Sequence, residues 1–253
     1  MKRFMQKKKM LCAALVICLI AAVGCWGISV RKAAKRDAAA GSDAANQVKA
    51  LDYSKYYNED GTLKEFEGKV SDYVKLCEYQ NLELLYSDLN LEEDADEETI
   101  SRKLDRYLKD YLTDSCEITE LRDDFIAQQT DIMEYELKQE YEFERAVKEL
   151  SYGTSYDTIY DYYGVEEDEY EDYVSQQGVK SAALAVIVQA IAEEEKIIVT
   201  HGDVEKYLDR QKMEQDYDEL SLEYGEGYLY HITMQDKVFT FIKSRLTLKK
   251  DGE

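Results

Sequence analysis

The side chain whose type and spacing could do chemistry in this sequence is tyrosine. Of 22 tyrosines, seven, at positions 152, 156, 160, 162, 163, 170 and 173, fall in one short stretch. A phenol ring offers an apolar face and one hydroxyl, so a cluster of them can cover varied apolar side chains without a fixed partner. Tyr156, Tyr160 and Tyr163 are spaced to share one helix face, and with Tyr170 and Tyr173 they form the predicted substrate-binding set. The same rings would equally fill a loose, water-edged core between short helices, and the sequence leaves both uses open.

Other chemistry finds little support. The two histidines, His201 and His231, have no cysteine or metal-type carboxylate spacing near them, so each is read as a surface or packing residue. Asn58, Asp60 and Glu67 would suit a calcium loop with Gly61 at its sixth position, but Tyr56 then stands where a carboxylate is needed, and a turn is expected. There is no glycine-rich phosphate loop and no Gly-x-Ser-x-Gly, and acids are so frequent that no single pair stands out. Cys77 and Cys116 make no metal spacing, and a disulfide between them and two part-buried thiols both remain open. No catalytic residue, cofactor or metal is assigned, and a binding protein is expected rather than an enzyme.

Helices must position these residues. The chain contains no proline, which removes the strongest helix breaker. Val179 to Glu195 is apolar nearly all round, too short and too interrupted by Lys180, Ser181 and Gln189 to span a bilayer, and is read as the buried hub of an all-α domain. Around it the spacing predicts a helix after an Asn90 cap, with a stripe of Ile100, Leu104, Tyr107, Leu108, Tyr111 and Leu112. A long arm helix is expected over 117–150, and short helices over 156–163 and 166–177, ended by Gly164 and Gly178. Beyond the hub come a helix capped by Thr200 with Asp203 and a closing helix through Leu229 to Leu246. The segment 70–86 alone reads as extended.

Location is written in the first fifty residues. A basic start, residues 1–10, precedes the uncharged run from Leu11 to Val30, whose twenty residues match a hydrocarbon core of roughly 30 Å. The basic flank predicts a cytoplasmic N-terminus, with the rest of the chain on the extracytoplasmic side of a single-pass cell-membrane anchor. A cleaved signal peptide and a lipoprotein signal are the alternatives, the latter with Ala22-Val23-Gly24-Cys25 as lipobox and Cys25 lipidated. Residues 31–62 are read as a linker and 63–253 as one helical domain. Nine of the 32 basic residues precede Asp37, so the chain from Asp37 onward sets 23 of them against 54 acids, a balance of −31 that disfavours nucleic acid as a partner.

One stretch resembles a known family. Ala190 to Leu208, AIAEEEKIIVTHGDVEKYL, is similar to the segment of bacterial trigger factor in which a buried helix ending in A-I-A-E meets I-x-V-T and a new helix. LEEDADEETI at Leu91 to Ile100, the Tyr163-Gly164 pair and the closing stretch Tyr228 to Leu246 resemble that family's helical chaperone region in order, over roughly 73–248. His201-Gly202 replaces the acids expected after Thr200. No room is left between Leu112 and Glu117 for the prolyl isomerase domain, and the ribosome-binding domain is replaced by the apolar N-terminal run. The resemblance implies a trigger-factor-like helical chaperone domain with long arm helices, binding unfolded or newly exported polypeptides without ATP and without the ribosome. A helical adaptor for one defined cell-surface partner is the alternative.

Overall fold

The computed structural model describes residues 51–252 apart from Glu65 and Glu214. The anchor at 11–30, the Cys25 alternative and most of the linker lie outside these residues. Among those described, no helix is long and apolar enough to cross a membrane. Within the described residues seven α-helices dominate: α1 (Glu97–Ser115), α2 (Asp123–Tyr152), α3 (Ile159–Tyr163), α4 (Tyr170–Glu195), α5 (His201–Arg210), α6 (Tyr217–Tyr224) and α7 (Glu226–Lys243). Four short strands accompany them: β1 (Val74–Lys75), β2 (Glu83–Leu85), β3 (Glu117–Ile118) and β4 (Thr247–Lys249). β1 pairs antiparallel with β3, and β2 parallel with β4. The chain forms two compact units, one of residues 128–178 and the other of 52–127 with 179–253, where the sequence predicted a single domain over 63–253.

In the larger unit the hub is as predicted. Every residue from Ala182 to Ala192 on α4 is buried, Gln189 included, whereas Val179, expected on the buried face, is 40% exposed. Gln189 does not interrupt the core. Its Oε1 accepts the Leu63 N–H at 2.6 Å, and its Nε2 donates to Glu193 at 3.0 Å. One turn on, Glu193 accepts the Val70 and Ser71 amides at 3.1 and 2.8 Å. Burial would raise its carboxyl pKa, but the Ser71 and Val70 amides and Gln189 outweigh that and hold it below the usual value. Two polar side chains on the hub helix thus satisfy backbone amides of a segment whose regular structure is limited to a 3-10 turn at Val70–Tyr73.

That segment corrects the linker assignment. Tyr53, Tyr56 and Tyr57, which the sequence placed in a tether, are 2%, 6% and 3% exposed. Tyr53 packs on Tyr224 and Tyr228, with ring centroids 5.0 and 4.9 Å apart, and Tyr56 on Phe125 at 5.4 Å. Small and weakly apolar residues dominate 37–50, and the aromatic run after them has enough surface to join the core. The Asp60-Gly61 turn forms as expected, with Thr62 N–H and Oγ1 both donating to Asp60 Oδ1. Gly61 has φ +82°, and a Cβ there would meet the His231 nitrogen at 2.6 Å. Beneath it His231 is buried, its Nδ1 3.0 Å from the Gly61 carbonyl and its ring 4.4 Å from that of Tyr57.

Several helices depart from expectation. α1 is capped by Asp96, which accepts the Thr99 N–H at 2.8 Å, while Asn90 takes a left-handed conformation (φ 49°) after a 3-10 turn. Asn tolerates that conformation as few residues do, which removes it from cap duty. α2 begins at Asp123 because Glu117–Ile118 is used as β3. Its 30 residues make about 45 Å of helix. Gly178 ends nothing: the two helices predicted at 166–177 and 179–195 are one, and a Cβ at Gly178 would lie 2.6 Å from Thr130 Cα, so glycine permits a close helix crossing. α6, capped by Asp216, was not foreseen. The Thr200–Asp203 capping box is complete despite His201-Gly202.

Both the turn and the histidine beneath it can be tested by stability. Gly61→Ala should destabilise by about 2–4 kcal/mol, from positive φ and overlap together, whereas Gly202→Ala, with open space at its Cβ, should be neutral or mildly stabilising. Urea denaturation followed by circular dichroism measures both. Burial lowers the His231 pKa to about 4 from 6.5. Between these values the unfolded chain holds a proton that the native state does not, so stability falls as pH drops from 6.5 to 4, by about 3 kcal/mol in all. His231→Asn should flatten that slope, leaving the losses from Glu193 and Asp203, whose lowered pKa values place them at more acid pH.

Candidate functional site

The smaller unit carries the predicted tyrosines. Its chain runs along α2 to Tyr152, turns through Gly153 (φ 67°) and returns by α3 to the first turns of α4. α3 has five residues and is fixed by its ends: Thr158 and Asp161 form a reciprocal capping box, and Gly164 closes it in the left-handed conformation. Tyr156 precedes this helix, so it does not share a helical face with Tyr160 and Tyr163 as the spacing suggested.

The rings nevertheless form one chain. Tyr156 meets Tyr162 edge-on at 5.0 Å, Tyr162 meets Tyr163 at 4.7 Å, Tyr163 meets Tyr173 at 5.5 Å, Tyr173 meets Tyr170 at 6.4 Å, and Tyr170 meets Tyr160 at 5.3 Å. All five predicted residues are therefore brought together, each partly exposed. Edge-to-face and offset contacts at these separations add about 0.5–1.5 kcal/mol per pair beyond area burial.

Three participants were not in the predicted set. Tyr162 is the link between Tyr156 and Tyr163, and it also touches the buried Tyr141 of α2 at 6.1 Å. Glu140 of α2 accepts from both neighbouring phenols, Tyr162 at 3.1 Å and Tyr163 at 3.1 Å, and Tyr163 also donates to the Leu137 carbonyl at 2.8 Å. Tyr162 was visible in the sequence cluster. Glu140 carried no signal, being one acid among 54. Lys148 lies over the Tyr156 ring at 3.6 Å from its centroid, a cation–π contact that holds the outer end of the chain.

Electrostatics keep three of these phenols, Tyr162, Tyr163 and Tyr170, neutral. Burial, and after it the charge of Glu140, push Tyr162 and Tyr163 well above the usual phenol range. Burial and then Glu134 push Tyr170 up to about 12. At neutral pH these three hydroxyls are donors and weak acceptors, with no phenolate for nucleophilic or base chemistry. The Tyr170 hydroxyl is shut off from solvent and has no hydrogen-bond partner, an uncompensated donor within the ring chain. Leu150 and Tyr152, near the end of α2, are 89% and 76% exposed.

The larger unit has a shallow groove of about 380 Å³ between α5 and α7, lined by Asp203, Lys206, Asp209, Arg210, Asp236 and Lys237 among others. Arg210 pairs with Asp236 at 2.6 Å and Lys237 with Asp203 at 2.8 Å, and Lys237 followed by Thr200 holds the Asp203 carboxyl well below its usual range. Charges that answer one another leave little for a ligand. His201 packs edge-on against Tyr217, with centroids 4.3 Å apart. Among the described residues no group of three or more His, Cys, Asp or Glu is placed to hold a metal ion. Comparison of the chain with protein-family models, with curated proteins and with solved structures finds no match in any of the three.

Tyr163→Phe removes the donor to Glu140 and to the Leu137 carbonyl without removing the ring. It should cost about 1 kcal/mol in urea denaturation, with near-ultraviolet circular dichroism changed more than far-ultraviolet.

Proposed function

We propose that this protein is an exported, membrane-tethered, ATP-independent chaperone-like protein whose 128–178 unit binds apolar segments of unfolded or newly exported polypeptides. The observation that carries the reading is the tyrosine chain: six rings in mutual contact, each part-exposed, supplied by α3, α4 and the turn before α3. Part-exposed rings lose little on taking up a client and gain apolar contact, while their hydroxyls can serve whichever backbone groups arrive. Exposed Leu150 and Tyr152 extend the apolar surface. The acidic balance of the chain beyond Asp37 would keep a loaded complex soluble and favour neutral or basic clients. The resemblance of Ala190–Leu208 to trigger factor supports the same class, and the uncharged run 11–30 supports the anchor, with lipidation at Cys25 as its alternative.

A second reading, a helical adaptor for one defined partner, is favoured by how firmly the inner rings are held. Tyr162 and Tyr163 are tied to Glu140 and Leu137, a pre-organisation that suits one partner better than many. Breadth of binding separates the two.

The full chain, held in lipid nanodiscs, should suppress aggregation of several unrelated denatured proteins near equimolar ratio without ATP. Replacing Tyr156 and Tyr160 together by Ser should weaken client binding by roughly fivefold per ring, with helicity unchanged. Tight binding of one folded partner and no effect on any denatured client would establish the adaptor instead.

A further inference from the structure

Cys77 and Cys116 take no part in the proposed client site, yet they are placed as a reactive pair. Their sulfurs are 3.1 Å apart as thiols, and the Cys77 N–H donates to Cys116 Sγ at 3.2 Å. The backbone around them is fixed on both sides. Cys116 ends α1, its N–H bonded to the Leu112 carbonyl at 3.0 Å, and leads directly into β3, which pairs Glu117 with Lys75 and Ile118 with Val74. Thr119 donates twice to the Tyr73 carbonyl, at 2.9 Å from its amide and 3.0 Å from its hydroxyl. On the far side the Tyr111 hydroxyl donates to the Glu78 carbonyl at 2.7 Å. Cys77 is half-buried and Cys116 9% exposed.

The geometry points to Cys77 and Cys116 as a redox site that forms an intramolecular disulfide by exchange with an external disulfide, either of a small thiol or of a dithiol oxidoreductase. The external disulfide R′SSR′ engages Cys77, the more accessible sulfur, giving a mixed disulfide and one R′SH. Cys116 Sγ, already in contact, then attacks Cys77 Sγ and expels the second R′SH. Overall one S–S bond forms and one breaks, two electrons pass to R′SSR′, and both cysteine protons end on the released thiols. One feature suits Cys116 to the second step: once Cys77 is in the mixed disulfide its thiol no longer donates to Cys116, but its backbone amide, 3.2 Å from Cys116 Sγ, remains to stabilise the thiolate. The product joins residues 39 apart in sequence and closes a loop that contains β2 and the whole of α1.

The test is incubation of the detergent-solubilised full chain with oxidised glutathione, followed by a tryptic map without reduction. Cys77 lies in peptide 76–102 and Cys116 in peptide 110–122, so their linkage is distinct from any involving Cys12, Cys18 or Cys25. The expected result is a linked 76–102/110–122 species, reversed by dithiothreitol, with Tm raised by about 5 °C on oxidation. Cys116→Ser should trap glutathione on Cys77, and Cys77→Ser should leave Cys116 modified at least tenfold more slowly than Cys77 in the Cys116→Ser chain. Stable glutathionylation of wild-type Cys77 without linkage, pairing to one of the N-terminal cysteines, or no reaction at either sulfur would each overturn the inference. A folded Cys77→Ala/Cys116→Ala chain that suppresses aggregation as the wild type does would keep this result separate from the client-binding reading.

Discussion

The larger unit depends on the demand that buried backbone amides find partners. From Tyr53 to Tyr73 the chain has little regular structure, and its course against α4 would leave donors at Leu63, Val70 and Ser71 in an apolar environment at a cost of about 1–3 kcal/mol each. Gln189 and Glu193, one turn apart on α4, accept all three. Glu195, two residues further, accepts from Tyr79 and Gln80. The polar residues of the hub helix are therefore the means by which an irregular, aromatic segment is joined to an apolar one. With that segment in place, the Asn58–Thr62 turn can cover His231, and the Tyr53 ring can pack against Tyr224 and Tyr228.

How much of this could be read beforehand depended on the range over which each feature is determined. The burial of Ala182 to Ala192, the leucine stripe of α1 and the Thr200–Asp203 box are set within one or two helical turns, and periodicity or cap spacing displays them. Asn90, the expected cap, takes a left-handed conformation, and Asp96 caps α1 in its place. Gly178 shows the limit of local reasoning. A glycine within a helix can mark an end or a close approach, and only the position of Thr130 decides between them. The strands are two or three residues long: β1 and β2 fall in the segment 70–86 that reads as extended, whereas their distant partners β3 and β4 show no pattern of their own.

The tyrosine cluster was legible as a cluster and illegible as geometry. Composition and spacing placed five of its rings, and the structure joins Tyr156 to the other four through Tyr162. The proposed helix face failed because Thr158 and Asp161 start α3 after Tyr156. That ring is held instead by Lys148 and Tyr162. Glu140 escaped notice because its role comes from two phenols more than twenty residues away and not from its own neighbours.

The long-range contacts of the larger unit also set an order of assembly. Ser54 donates to the Tyr224 carbonyl and accepts from the Tyr228 amide, Gly61 sits on the His231 backbone, and β2 pairs with β4. None of these can form until the chain from Tyr224 onward has emerged. Residues 128–178, by contrast, hold one another through contacts within a single continuous stretch. During vectorial synthesis or passage through a channel, the tyrosine-bearing unit can mature while the segment from Tyr53 to Tyr79 is still waiting for its partners. That delay leaves one of the most aromatic segments of the chain unprotected for nearly the whole time of its making. A protein read as a guardian of unfinished chains would itself pass through such a state.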